Sequence, residues 1–157
     1  MILGMSTHRS AIIEFLDGWS KDVALHLAKC AMYQDSLGRY NHWVHELASW
    51  IVDGANMTCK PNDRKLKPNE YEDTIFKYFG TAVSDAERNL RELQRYNKKY
   101  GSESYPYVEI DDAMVNKMFD ASQALMENII PLMASKNKFK MRDMETYIHD
   151  AIDPYII

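Results

Sequence analysis

Only two cysteines, Cys30 and Cys59, occur in the 157 residues, and they form no CxxC pair. A disulfide framework and a four-cysteine metal centre are therefore excluded. Glycine is scarce, with six residues, and none sits in a glycine-rich phosphate loop or a nucleophile elbow. No stretch approaches the ~20 apolar residues of a membrane span. Met1 to Met5 carries no positive charge, and His8, Arg9 and Ser10 interrupt any apolar run, so no signal peptide is expected. Strand alternation, internal repeats and low-complexity tracts are missing too. Free thiols and no membrane segment fit a reducing cytoplasm.

What remains is a helical composition of ordinary globular character. Apolar residues make up 46% and charged residues 27%, and the length suits one helical domain over residues 1–157. The formal charge of −4 argues against a dedicated nucleic-acid binder. That charge is uneven: residues 58–69 carry +3 and residues 101–135 carry −5. Patches of opposite sign can meet within one fold or between copies.

Periodicity divides the chain into helices. Ile12, Leu16, Trp19, Val23, Leu27 and Cys30 form the stripe of a first helix running to about Asp35, with Ser36-Leu37-Gly38 as its stop. Tyr40 to Gly54 forms a second, with Tyr40, Trp43, Val44, Leu47, Trp50 and Ile51 on one side. His42, His45 and Ser49 fall on the other, with Glu46 and Asp53 at the edge. A long polar, basic loop is expected over residues 55–68. Asn69 and Glu72 make a capping box for a third helix, whose stripe runs through Ile75, Phe79, Ala82, Ala86, Leu90 and Leu93 to Tyr96 or Tyr100. It either continues to about Tyr100 or breaks at Gly80, with Ser84 and Glu87 as a second box. Tyr105 and Tyr107 are expected over the bundle end. Asp111 or Asp112 opens a fourth helix with a Met114, Met118, Ala121, Leu125, Ile129 and Leu132 stripe, which Pro131 kinks or ends. Met141, Met144, Ile148 and Ile152 mark a fifth helix that Asp153-Pro154 ends.

The expected fold is an all-α, up-down helical bundle of four main helices plus a C-terminal fifth that packs across it or exchanges with a neighbouring chain. Trp19, Trp43 and Trp50 should be largely buried.

Two constellations could carry chemistry. His42, His45 and Glu46 lie within about one helical turn and could converge on a divalent metal, zinc or iron, given further ligands from another helix. Asp22 with His26 and Glu145 with His149 are further carboxylate–imidazole pairs a turn apart. The histidine arrangement resembles that of DinB-like metal-holding bundles over the second helix only. The late pair of histidines one turn apart in such proteins is missing here, where His149 stands alone. The bland alternative is a solvated face with pairwise hydrogen bonds.

The second constellation is Arg142 with His149, seven apart, and Arg39 with His45, six apart. Both spacings are similar to the Arg–His pattern of helical HEPN ribonucleases. That likeness implies catalytic roles: Arg142 holding a phosphate and His149 moving a proton. Chance alone supplies about 0.6 such pairs for a composition like this.

Arg88, Arg91, Arg95 and Lys99 form a basic row that also reads as a solvated face, since Glu87–Arg91 and Arg88–Glu92 can pair along it. Met126, Met133 and Phe76 lie off the main stripes, which points to a central helix or an oligomer seam. Without a specific catalytic motif, the expectation is a non-enzymatic interaction or regulatory module, self-associating or binding a protein partner, with no cofactor. A metal-dependent or ribonuclease-like hydrolase is the alternative.

Overall fold

A computed structural model describes residues 2–58, 68–103, 106–135 and 139–157. Among them the elements are helical throughout: α1 (Ile2–Met32), α2 (Leu37–Thr58), α3 (Pro68–Ser84), α4 (Ala86–Tyr100), α5 (Asp112–Asn128), α6 (Ile130–Ser135) and α7 (Met141–Ile156). The fold is an all-α bundle. No helix among the described residues is long and apolar enough to cross a membrane.

The apolar stripes build one interior. Leu16, Val23 and Leu27 of α1, Val44, Leu47 and Ile51 of α2, Ile75 and Phe79 of α3, and Met118 and Leu125 of α5 are all buried in one cluster. α1 and α2 form an antiparallel hairpin, as Trp19 and Trp50 meet far from the turn between them. α7 runs antiparallel to α2, since Tyr40 meets Asp153 while His45 meets Glu145. α7 packs against α2 and α5 of its own chain, so the fold needs no exchange with a neighbour to bury Met144, Ile148 and Ile152.

Several boundaries differ from the sequence expectation. Leu37 and Gly38 open α2 instead of closing α1, with the carbonyl of Ser36 accepting the Tyr40 N–H at 2.8 Å. α2 continues past Gly54 to Thr58, and much of the expected 55–68 loop lies outside the described residues. Pro68, not Asn69, stands at the first position of α3, where its missing N–H costs no helical bond.

The third predicted helix does break, but at Asp85 and not at Gly80. The Ser84 hydroxyl donates back to the Thr81 carbonyl at 2.6 Å, so it forms no capping box with Glu87. The break rotates the stripe. Leu90 and Asn97 face inward on α4, while Tyr96 and Tyr100, one or the other of which should continue the stripe, are 61% and 60% exposed.

At the other end of α5 the chain interrupts at Ile129, two residues before a Pro131 placed in the first turn of α6, where proline is tolerated. α7 runs through Pro154 to Ile156 instead of ending there. Its last-turn position limits the loss to one hydrogen bond, and the Ile157 N–H still reaches Asp153 O at 2.9 Å. Asp111 caps α5 as expected, accepting the Met114 N–H at 2.8 Å. Tyr107 is exposed and hydrogen-bonded to Glu109, while Tyr105 lies outside the described residues.

Trp19 is buried and donates from Nε1 to the Trp50 carbonyl at 2.7 Å. Trp43 is buried as well, whereas Trp50 is only partly so. The Trp19 ring lies against Gly54, one turn beyond that carbonyl. A Cβ at Gly54 would stand 2.4 Å from Trp19 Nε1 and 2.8 Å from Cε2. Cβ atoms at Gly18, Gly38 and Gly80 would meet nothing within 4 Å.

Glycine-to-alanine substitutions should therefore split by sign. Gly80→Ala in mid-helix should stabilise by about 0.5–1 kcal/mol. Gly54→Ala should destabilise by about 1–3 kcal/mol because overpacking against Trp19 outweighs the helix propensity. Urea melts of the two variants would show opposite shifts in midpoint.

Candidate functional site

Glu145, His149 and Asp153 recur every four residues on α7 and so share the stripe that faces α2. Glu145 meets Nδ1 of His45, across the two helices. Asp153 holds His149 Nδ1 at 3.0 and 3.1 Å and accepts the Tyr40 hydroxyl at 2.5 Å. The Tyr40 and His149 rings stand edge to face with centroids 5.8 Å apart. Buried Cys30 of α1 is close enough for the Asp153 charge to act on its thiol. The α2–α7 seam thus collects a phenol, a thiol, two imidazoles and two carboxylates.

Their environment decides what they can do. Burial, then the bond to Asp153 and its charge, pushes the Tyr40 hydroxyl far above the ordinary tyrosine value. Burial, reinforced by Asp153, does the same to the Cys30 thiol. A thiol kept protonated and out of solvent is a poor nucleophile. Tyr40 is fully buried, and its proton is committed to a carboxylate. Asp153 orients His149 as carboxylates orient histidine bases elsewhere, and the Tyr40 hydroxyl on the same carboxylate is buried. The seam is built as a polar staple.

The residues picked out in the sequence part company. His45 turns to Glu145. His42 is exposed, its ring set edge to face on Trp43 at 4.8 Å. Glu46 acts instead on His26 and Lys29 of α1. Among the described residues, no group of three or more histidine, cysteine, aspartate or glutamate side chains could hold a metal ion.

Arg142 is exposed in the first turn of α7, about 10 Å along the axis from His149. Arg39 donates to the Glu103 backbone carbonyl and ties the segment after α4 to the start of α2. His26 bonds the backbone carbonyl of Asp22 at 2.7 Å, not its carboxylate. Burial holds the His26 imidazole below its ordinary value against the pull of that bond. Sequence reading missed the Tyr40–Asp153 bond, which joins residues 113 apart. The four-residue recurrence of Glu145, His149 and Asp153 was the only local sign of it.

Two of the grooves elsewhere on the described surface have largely apolar walls. One, of about 280 Å³, lies between α1, α2 and α4 and is lined by Lys29, Tyr33, Trp43, Leu93, Tyr96 and Asn97 among others. The other, about 530 Å³ and more open, lies between α3 and α5. Phe76, Gly80, Phe119 and Met126 line it, with Asp120 and Glu127 at its edge.

No family model, curated protein or solved structure matches this chain.

Tyr40→Phe tests the staple. At pH 7 it removes a hydrogen bond to a carboxylate and should cost about 1.5–3 kcal/mol. The raised folded value means that the Tyr40 contribution is fully present below the unfolded tyrosine value, near 10, and is lost as pH rises through the folded one. The gap between wild type and Tyr40→Phe in urea stability should accordingly hold constant up to about pH 9.5 and narrow steadily above about pH 10. A gap independent of pH would disconnect the Tyr40 proton from stability.

Proposed function

We propose that this protein is a non-enzymatic helical interaction module that self-associates through the face formed by α3, α4 and α5. The observation that carries the reading is the α3–α5 groove. Phe119 is 38% exposed, Phe76 and Met126 are only partly covered, and no part of the described chain fills the space between them. Contiguous apolar surface with a polar rim is a recurring mark of an interaction site.

Charge favours a second copy as the occupant. Asp112, Asp120 and Glu127 are exposed on α5, and its Lys117 is engaged by Gln34 at 2.5 Å. α4 carries five cations against two carboxylates. Arg88 and Arg91 pair along the helix with Asp85, Glu87 and Glu92, but Arg95 and Lys98 form no ion pair among the described residues. In a two-fold pair, α4 of each copy can meet the acidic edge of the other's groove, as an isologous interface requires. Such an interface is small and electrostatic, so the association is weak and salt-sensitive.

A hydrolase reading has less support. The His42, His45 and Glu46 set points three ways, and Arg142 stands apart from His149. A reducing cytoplasm suits the free, buried thiol of Cys30.

Sedimentation velocity from about 10 μM to about 1 mM should show a concentration-dependent dimer at low salt that weakens as salt is added. Phe119→Asp should abolish it. Arg95→Glu with Lys98→Glu should weaken it, and adding Asp120→Lys with Glu127→Lys should restore it. A wild-type monomer at every concentration would overturn the reading.

A further inference from the structure

The groove between α1, α2 and α4 is distinct from the face above. It is more enclosed, and its walls are of two kinds. Aromatic rings predominate: Trp43 and Tyr33 are buried at its base, while Tyr96 and Tyr100 stand exposed at its rim with ring centroids 5.0 Å apart. The polar groups are few. Asn97 is buried and donates through Nδ2 to the Tyr33 hydroxyl at 2.5 Å. Lys29 reaches in from α1, its ammonium 4.3 Å from the Trp43 ring centroid.

Lys29 is the informative residue. It is partly buried and forms no ion pair among the described residues. A cation withdrawn from water without a paired carboxylate is in an unfavourable setting. Burial lowers its affinity for the proton, and Glu46 and Asp22 act on it from a distance to oppose that. The indole face of Trp43 is the nearest compensation. An anion arriving in the groove would supply what the fold does not.

We propose that this groove binds a small planar aromatic anion, with a carboxylate on Lys29 and one or two fused rings against the aromatic walls. Size, shape and charge agree. An apolar cavity of about 150 Å³ takes up benzene. The groove, at about 280 Å³, has room for a fused bicycle and a short acidic arm. Ligand sites of this kind are mostly aromatic, with one or two placed polar groups that fix orientation. Lys29 is the charged one here, and Asn97 is a neutral amide at the wall. The same Lys29 disfavours a cationic ligand, because it already occupies the Trp43 face. The site does not depend on self-association.

Indole-3-acetate and its neutral isostere indole-3-acetamide provide the test, titrated by calorimetry into the full-length protein. The acid should bind, and the amide should bind at least about 10-fold more weakly. Lys29→Met keeps the aliphatic stem and should erase the difference by weakening the acid alone. Tyr96→Ala, at an exposed position, should weaken both ligands while leaving the melting curve unchanged. Equal binding of acid and amide to the wild type, or no binding of either up to about 10 mM, would overturn the proposal. That comparison needs no variant, so it stands even if Lys29→Met fails to fold.

Discussion

The seating of Trp19 on α2 sets the geometry that everything else inherits. Its indole N–H reaches the Trp50 carbonyl at 2.7 Å, and the ring lies where Gly54 leaves no Cβ. Burying an indole removes some 150–250 Å² from water, an upper estimate of about 4–6 kcal/mol. The hydrogen bond fixes which rotation of α2 receives it. That rotation turns Trp43 and Trp50 towards His26 and sends His42 and His45 to the far side. It also aims Tyr40 and His45 at α7. One close approach between α1 and α2 thus determines both the groove over Trp43 and the seam with α7.

The α2–α7 seam shows how reactive residue types become structural ones. Histidine, tyrosine, cysteine and aspartate together would suggest catalysis from composition alone. Burial raises the phenol and the thiol, and the carboxylate that could activate a base is shared between His149 and Tyr40. A site tuned for turnover separates its acid and base and leaves them reachable. Here Tyr40, His45, Glu145, His149 and Asp153 join α2 to α7 by hydrogen bonds, which fixes the register of α7 on α2.

The amphipathic stripes were legible because a helix face repeats every three or four residues. Val44, Leu47 and Ile51 are buried while His42 and His45 are wet, as their positions required. Boundaries were less legible because punctuating residues act through context. Gly54 looked like a stop and is a seat for Trp19. Pro154 looked like a stop and costs little in a last turn. The spacing of Ser84 and Glu87 marked a helix start next to the true break at Asp85, but it did not fix how far α4 rotates there, and a single stripe carried through to Tyr96 or Tyr100 puts those rings on the wrong face. Of the chemistry, the members were visible but not their partners. His45 finds Glu145 and Tyr40 finds Asp153 across more than ninety residues, a pairing that only tertiary packing creates.

The surplus of apolar residues off the main stripes has two different fates. Met133 belonged to that surplus, yet the interruption at Ile129 rotates α6 and buries it completely. Phe76 on α3 and Met126 on α5 both precede the interruption that ends their helix, so neither is turned inward by it. They stay on the flank of α3 and α5, face each other across the groove and keep Phe119 for company at its edge. A break rotates only the residues that follow it, so an apolar side chain ahead of it keeps its place on the flank. Three such side chains side by side form the apolar patch on which the proposed self-association rests.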